Sequence, residues 1–249
     1  MLAATALFSS LALGEVGQSG TVRVSVSGDL SPTKLPRKGA APIAVSVGGK
    51  ISSTDKRKGP PQLKEMSIAI NRNGHLDTRG LSRCRMGKID PSTSQEAIAT
   101  CRSSLIGEGS FSADVKLPEQ SPFPSEGKVL AFNGRLNGHP AVLAHIYGKR
   151  PLPTAIVLPF VITGTKGTFG TLLTASLPQV TGDWGYVTGL SMTLERQFTH
   201  KGKSRSYLSA GCPAPAGFRQ VSFPFARTSF VFEGGRTVTT TLTRRCRVK

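Results

Sequence analysis

The stretch KVLAFNGRLNGHPAVLAHIY, Lys128 to Tyr147, contains two apolar runs joined by Asn137-Gly138. A tight turn between antiparallel strands needs positive φ at both central positions, and Asn and Gly tolerate that conformation. The stretch therefore predicts a β-hairpin. Gly234-Gly235 indicates a second hairpin between the last two apolar runs, and Asn73-Gly74 is a third turn signal of this kind.

Alternation between apolar and polar residues recurs along most of the chain. It is clearest in TVRVSVS, where Val22, Val24 and Val26 share one side, and it continues in KEMSIAI, GSFSADVKL, YVTGLSMTLERQF and RTVTTTLTRRC. A period of two is typical of half-buried strands. About a dozen such strands, joined by short turns, favour antiparallel pairing. The predicted fold class is all-β, an antiparallel β-sandwich or jelly-roll-like arrangement with one short helix.

That helix is predicted within CRMGKIDPSTSQEAIATC, Cys84 to Cys101. Ser92 with Gln95, or Thr93 with Glu96, has the spacing of a capping box. A helix this short is marginal alone, so we expect a Cys84–Cys101 disulfide to clamp it across one end of the sheets. The residues that then share one side of the helix are Ala97, Ile98, Cys101 and Leu105.

The chain has four cysteines, and an even number favours a two-disulfide framework. If the last two strands pair about Gly234-Gly235, Cys246 lies beside the start of the first of them, at the end from which the chain leads back to Cys212. We therefore predict Cys212–Cys246 as the second disulfide. A zinc site is disfavoured, because the sequence has no C-x-x-C pair. We expect no metal and no cofactor.

The N-terminus, MLAATALFSSLALGEVGQSG, begins with an apolar run from Leu2 to Leu13 and then becomes small and polar. This pattern is typical of a secretory signal peptide, assigned to residues 1–19. The run lacks the positively charged residues that usually precede such a segment, which a truncated start of the sequence would explain. We expect a secreted, extracellular or cell-envelope location, which disulfides fit. Residues 20–249 are predicted to form one β-sandwich-like domain, the alternative being a subdomain boundary near residues 118–127.

The charge is strongly positive: 32 Lys and Arg stand against 14 Asp and Glu, a formal net charge of +18. Such a charge favours contact with polyanions. Few aromatic residues lie near the basic clusters, which argues against base stacking and so disfavours single-stranded or sequence-specific nucleic-acid recognition. The expected partners are anionic cell-wall polymers or a membrane surface. The candidate anion-binding residues form three clusters: Lys56, Arg57 and Lys58; Lys201, Lys203 and Arg205; Arg245, Arg247 and Lys249.

Two other segments are candidate ligand sites. AIVLPFVI, Ala155 to Ile162, is apolar on both strand faces, which suits either a strand covered on both sides or the wall of an apolar cavity. A core strand is the favoured interpretation, and Pro159 predicts an edge or a bulge. Asp183, Trp184 and Tyr186, in TGDWGY, form a candidate ligand loop, although a simple Gly-rich turn is favoured.

Catalytic motifs are absent from the sequence, which contains neither G-x-S-x-G nor H-E-x-x-H. The four histidines are scattered, and His145, on a strand with apolar neighbours, is predicted to be structural. We therefore predict a non-catalytic β-domain that acts as a basic binding or structural module on anionic cell-surface polymers. The alternatives are a carrier of a small apolar or lipid ligand and, less favoured, a hydrolase.

Several segments together resemble a known group of proteins. They are the two cysteines around the Ala-containing helix, the following SSLIGEGSFSADVKLPE, and later VLPFVITGTKGTFGTLLTASLP and YLSAGCPAP. In these features the chain resembles uncharacterised secreted and surface β-rich proteins of soil actinobacteria. That group has no assigned activity. The resemblance therefore implies an extracellular location and a β-rich architecture, and it supplies no catalytic residue.

Overall fold

A computed structural model describes residues 14–55, 57–178 and 185–249. Within these ranges the chain forms eighteen strands and one α-helix, α1 (Ser94–Cys101). Eleven strands have eight or more residues and match eleven of the predicted segments; the twelfth, RSYLSAG, spans parts of the short strands β15 and β16, and the other short strands have two to five residues each. The predicted all-β fold with one short, disulfide-clamped helix is confirmed. Residues 1–13 of the predicted signal peptide lie outside the described ranges, whereas residues 15–19, which the prediction also included, form strand β1 of the main sheet.

The strands are β1 (Glu15–Ser19), β2 (Val22–Ser31), β3 (Lys34–Leu35), β4 (Ala41–Pro42), β5 (Ala44–Ser53), β6 (Leu63–Asn71), β7 (Gly74–Leu76), β8 (Leu105–Val115), β9 (Phe123–Leu136), β10 (His139–Gly148), β11 (Thr154–Gly164), β12 (Phe169–Ser176), β13 (Gly185–Leu194), β14 (Gln197–His200), β15 (Lys203–Ser206), β16 (Leu208–Ala210), β17 (Gln220–Phe232) and β18 (Thr237–Val248).

Thirteen of these strands form one sheet, in the order β1-β2-β5-β13-β8-β9-β10-β11-β12-β6-β17-β18-β3. The named strand pairs in it are antiparallel, except for the parallel pair β3–β18. Asn137 and Gly138 both have positive φ and form the predicted β9–β10 hairpin turn. Gly234 and Gly235 do the same between β17 and β18. Asn73-Gly74 forms no hairpin, because it leads from β6 into a second, small sheet.

The sheet curls until its first strands pack against β18. The Glu15 carboxylate accepts hydrogen bonds from the Thr243 backbone N–H at 3.1 Å and from Arg244 Nη1 at 2.8 Å. A Cβ at Gly17 would lie 2.7 Å from the side chains of Val238 and Thr240, so glycine is what allows this close approach. The two halves of the curled sheet thus face each other, as in a sandwich, across one apolar core.

The middle of the sheet is buried on both faces. On β9, Val129 and Ala131 belong to the main core, whereas Leu130 and Phe132 belong to a second apolar cluster. Helix α1 and the segment around Cys84 cover that second cluster. The Cys84–Cys101 disulfide, with Cα atoms 5.5 Å apart, joins the two. The helix therefore packs on the outer face of β9 and β10, and not across one end of the sheets as predicted, because the apolar outer residues there need a cover.

Thr93 begins the helix. Its side chain accepts a hydrogen bond from the Glu96 backbone N–H, and the Glu96 carboxylate accepts one from the Thr93 N–H, so the capping box predicted from Thr93 and Glu96 forms. Ser92, the alternative cap, donates its hydroxyl to the Ile89 carbonyl. In the described part of the chain no helix is long and apolar enough to cross a membrane.

The small sheet, in the order β4-β16-β7, lies at the end of the main sheet where β6 and β18 finish. We call this the closed end. The Cys212–Cys246 disulfide, with Cα atoms 5.7 Å apart, fastens the chain after β16 to β18 there. Cys246 lies opposite Val221 at the start of β17, as the hairpin argument required.

Residues from both sides of the candidate subdomain boundary, 118–127, belong to the main core, and β8 pairs with β9 across that segment.

Candidate functional site

The interior of the curled sheet contains a cavity of about 210 Å³. Its wall is almost entirely apolar and comes from most of the long strands. This volume exceeds the roughly 150 Å³ of an apolar protein cavity that stays dry and binds benzene. Representative wall residues are Val26, Val47, Met66, Leu158, Phe160 and Leu190.

The segment AIVLPFVI, Ala155 to Ile162, forms part of this wall. Leu158 and Phe160 line the cavity, whereas Val157 packs in the second cluster beneath helix α1. The segment is therefore apolar on both faces because one face is covered by the second cluster and the other lines the cavity. Pro159 lies opposite Leu143 of β10, and β11 pairs with β12 only from Val161 onward. Pro159 thus lies in the part of β11 that pairs with β10 alone. A residue without a backbone N–H is tolerated there, because no second strand needs that donor.

Most of the polar residues in the cavity wall lie at the closed end. They include Tyr207, which directly precedes β16 and is fully buried. Among the described residues its hydroxyl has no hydrogen-bond partner. Burial raises the pKa of Tyr207 above its ordinary value, so this hydroxyl stays protonated and able to donate. The other polar wall residues of this end are Asn71, Asn73, His75 and Ser209.

Two arginines flank Tyr207. The Tyr207 backbone N–H donates to the Arg196 carbonyl at 2.8 Å, and the Asp77 N–H donates to the Tyr207 carbonyl at 2.9 Å. Arg205 Nη1 donates to Asp77 Oδ2 at 2.6 Å. Burial alone would raise the pKa of Asp77, but hydrogen bonds from the Arg79 N–H and the Arg205 guanidinium lower it overall. The Nε atoms of Arg196 and Arg205 are buried and lack a partner in the described chain.

The third predicted basic cluster forms a continuous charged edge. Arg245, Arg247 and Lys249 are exposed and alternate with buried or half-buried residues of β18. Lys34 of β3 lies in register beside Arg247. We call Lys34, Arg245, Arg247 and Lys249 the basic edge. In the described ranges none of the four takes part in an ion pair.

The other two predicted basic clusters are partly neutralised. Lys201 and Lys203 are exposed in the β14–β15 hairpin, but Arg205 is held by Asp77. Arg57 pairs with Asp55 at 3.5 Å, Lys58 is exposed, and Lys56 lies outside the described residues. Leu63, at the end of that loop, pairs with Phe232, so the loop lies at the opposite end of the sheet from the basic edge. The structure thus brings the three clusters to no common site.

Of the candidate ligand loop, Asp183 and Trp184 lie outside the described residues. Tyr186 is half-buried and lies opposite Asp114 of β8. Burial and the nearby Asp114 charge raise the pKa of Tyr186. The Tyr186 ring packs so closely on Gly59 that a Cβ there would lie 2.2 Å from it. These contacts give Tyr186 a packing role against the loop before β6.

His145 has the surroundings of a structural residue. It is fully buried, and its Nε2–H donates to the Ser92 carbonyl at 2.9 Å, which ties β10 to the start of helix α1. Its described hydrogen-bond partners come from Ser92, and none is a carboxylate. Across the described ranges, no three His, Cys, Asp or Glu side chains are placed to hold a metal ion.

No motif in the sequence marks Tyr207 as a site residue, because it simply follows a short polar hairpin. Only the folded chain shows that Tyr207, with its unpartnered hydroxyl, lies in the wall of an apolar cavity. Comparison with protein-family models, curated proteins and solved structures found no match for the chain.

Proposed function

We propose that the protein binds a small apolar ligand inside the curled sheet. One observation carries the proposal: a cavity of about 210 Å³ whose wall is almost entirely apolar lies within the main core. Each methylene group moved from water into such a site contributes about 0.8 kcal/mol. The proposal takes up the carrier alternative of the sequence analysis, because an apolar cavity is the concave feature that best fits a small ligand.

Isothermal titration calorimetry with a series of 1-alkanols tests this proposal. Affinity should rise about fourfold with each added methylene. It should stop rising once the alkyl chain fills the cavity, because further methylene groups then remain in water. A protein that binds no alkanol would contradict the proposal. An affinity that kept rising well beyond twelve carbons would place binding elsewhere.

A matched pair of variants locates the binding. Leu190 lines the cavity, whereas its neighbour Ser191 is exposed on the outer face of β13. Leu190→Trp should fill part of the cavity and weaken binding of the longer alkanols at least tenfold. Ser191→Trp places the same ring outside and should leave binding unchanged. Thermal unfolding of both variants checks that the fold is retained, and equal effects of the two would argue against the cavity as the site.

A second candidate function is supported by the basic edge, namely binding of anionic cell-wall polymers. Lys34 and Arg247 lie side by side, and like charges in this position repel each other unless an anion lies between them. The alternative partner for the same charges is an anionic membrane surface. Secretion or a cell-envelope location belongs to the same proposal. Two disulfides are compatible with it, since such bonds persist in oxidising compartments.

A further inference from the structure

One buried donor in the cavity wall has no hydrogen-bond partner. In the described chain six buried side-chain nitrogen or oxygen atoms lack a partner, and Tyr207 is the one among their residues that belongs to the wall. Its side chain is fully buried. Native proteins satisfy most buried polar groups, because an unpaired one in apolar surroundings costs free energy. The Tyr207 hydroxyl is therefore an open donor at the closed end of the cavity.

The other buried polar residues of the wall already have partners. The Asn71 side-chain amide donates to the Pro224 carbonyl at 2.8 Å, and its oxygen accepts from the backbone N–H two residues further on at 3.0 Å. The Thr228 hydroxyl donates to the Thr240 carbonyl at 3.4 Å. A ligand in the cavity thus meets one buried polar group that is free to bond, the Tyr207 hydroxyl, and needs one polar atom to match it.

That polar atom has to belong to a neutral group. Among the described residues of the wall there is no Lys, Arg, Asp or Glu. Arg196 and Arg205, on either side of Tyr207, are not wall residues, and Arg205 is already paired with Asp77 at 2.6 Å. An ionised group moved from water into such a cavity would have no opposite charge to compensate its lost hydration.

We propose that the cavity ligand is a neutral apolar molecule with one hydrogen-bond-accepting oxygen, such as a medium-chain ketone or ester. Its carbonyl oxygen accepts the hydrogen bond of the Tyr207 hydroxyl, and its alkyl chain lies against apolar wall residues such as Leu158 and Phe160. A carbonyl oxygen fits better than a ligand hydroxyl, because it adds no donor that needs a partner of its own. This inference rests on the proposed function, since it assigns the polar group of the ligand that the cavity holds.

The test compares 2-heptanone with 2-methyl-1-heptene, which has a methylene group in place of the carbonyl oxygen and nearly the same shape. Isothermal titration calorimetry measures both affinities for the wild-type protein and for Tyr207→Phe. The ketone should bind Tyr207→Phe about fivefold more weakly, the usual contribution of one neutral hydrogen bond. The affinity for the alkene should not fall. Tyr147→Phe removes a hydroxyl from a tyrosine outside the wall and should alter neither affinity.

Two further measurements report on the hydroxyl itself. Infrared spectra of bound 2-heptanone should show its carbonyl stretch at lower frequency in the wild-type protein than in Tyr207→Phe, because a hydrogen bond weakens the carbonyl bond. Without ligand, Tyr207→Phe should be at least as stable to heat as the wild-type protein, since the lost hydroxyl had no partner. A clear loss of stability would show that the hydroxyl is already bonded and would contradict the proposal.

Octanoate tests the neutral character of the ligand. It should bind more weakly than 1-octanol near neutral pH, because the wall offers its carboxylate no positive charge. Tighter binding of octanoate would overturn the assignment of a neutral group.

The outcomes separate this inference from the proposed function. If the wild-type protein binds no alkanol, ketone or alkene, the proposed function itself is wrong. If the alkene and the ketone both bind but Tyr207→Phe changes neither the ketone affinity nor its carbonyl stretch, the carbonyl assignment is wrong while the cavity proposal stands.

Discussion

The guanidinium of Arg244 donates a hydrogen bond to the carboxylate of Glu15 at 2.8 Å, and this contact joins the last long strand of the sheet to the first. Arg244 also lies 3.2 Å from the Asp29 carboxylate and donates to the Gly28 carbonyl. Its side chain is only 15% exposed. One arginine therefore links β18 to both β1 and β2, and it helps to hold the sheet in its curled form around the cavity.

Replacement of this arginine should destabilise the protein. Arg244→Met should cost about 2 kcal/mol of unfolding free energy, because it leaves a half-buried carboxylate without its charged donor. Arg245→Met, on the exposed side of the same strand, should cost about 0.5 kcal/mol or less. Urea denaturation of both variants measures the difference. Similar losses in the two would show that Arg244 does not close the sheet.

The same contact predicts a pH dependence. Burial tends to raise the pKa of Glu15, but hydrogen bonds from Arg244 and the Thr243 N–H bring it below its ordinary value. The contribution of the Glu15 carboxylate to the free energy of unfolding is thus fully present above the ordinary glutamate pKa. It is lost as the pH falls through the lowered pKa of the folded protein. Denaturation at a series of acidic pH values should show a smaller loss for Arg244→Met than for the wild-type protein.

The capping box should contribute to the stability of helix α1. Thr93→Ala should cost about 1 kcal/mol, because it removes the acceptor for the Glu96 N–H. Ser94→Ala is a matched control, since the Ser94 hydroxyl is buried and has no partner in the described chain, and its loss should be neutral or slightly stabilising. Chemical denaturation distinguishes the two. A larger cost for Ser94→Ala would refute this assignment of the cap.

Glu96 makes this cap sensitive to acid. Hydrogen bonds from the Thr93 backbone N–H and hydroxyl lower the pKa of Glu96. The cap is therefore complete above the ordinary glutamate pKa and weakens as the pH falls through the lowered value. Glu96→Gln should remove this part of the acid response, which a titration of the Glu96 carboxyl by NMR can follow directly.

The two disulfides should differ in their effect on ligand binding. The bonded cysteines are 17 and 34 positions apart in the sequence, so removal of Cys84–Cys101 or Cys212–Cys246 should cost about 3 or about 4 kcal/mol respectively. Only Cys212–Cys246 fastens the chain beside the small sheet at the closed end. Its replacement by alanines should also weaken 1-octanol binding, whereas loss of Cys84–Cys101 should not. Equal effects on binding would contradict this division.

The basic edge should bind anionic polymer in a salt-dependent way. Retention on a teichoic-acid-like polymer should fall steeply with added salt, because binding releases counterions. Changing Arg245, Arg247 and Lys249 to Gln should reduce retention more than changing Lys201 and Lys203 to Ser, since the edge is unpaired and continuous with Lys34. Retention that survived both high salt and the edge variant would rule out the electrostatic proposal. Vesicles of anionic lipid in the same assay distinguish a membrane partner from a polymer.

Local features were readable from the sequence wherever a short-range rule applies. The alternation of Val22, Val24 and Val26 predicted a strand with one buried face, and these residues are buried. Asn137-Gly138 predicted a hairpin because its backbone conformation is confined to few residue types. The Thr93–Glu96 spacing predicted the helix start, and an even number of cysteines with hairpin geometry predicted their pairing. Each of these inferences concerns residues close in sequence or linked by one turn.

Sequence by itself determined the long strands, two of the three predicted hairpin turns, the helix and the net charge, because each depends on neighbouring residues. Only the tertiary structure decided which strands lie side by side. The pairing of β13 with β5 and β8, or of β6 with β12 and β17, joins distant segments that carry no local signal. An apolar residue at every second position indicates that one face of a strand is buried. The same pattern occurs in a strand that packs in a filled core and in one that lines a cavity. The sequence pattern therefore predicted Leu158 and Phe160 as core residues, although they line the cavity. It also predicted Arg205 as a free cation, because only the folded chain places Asp77 beside it.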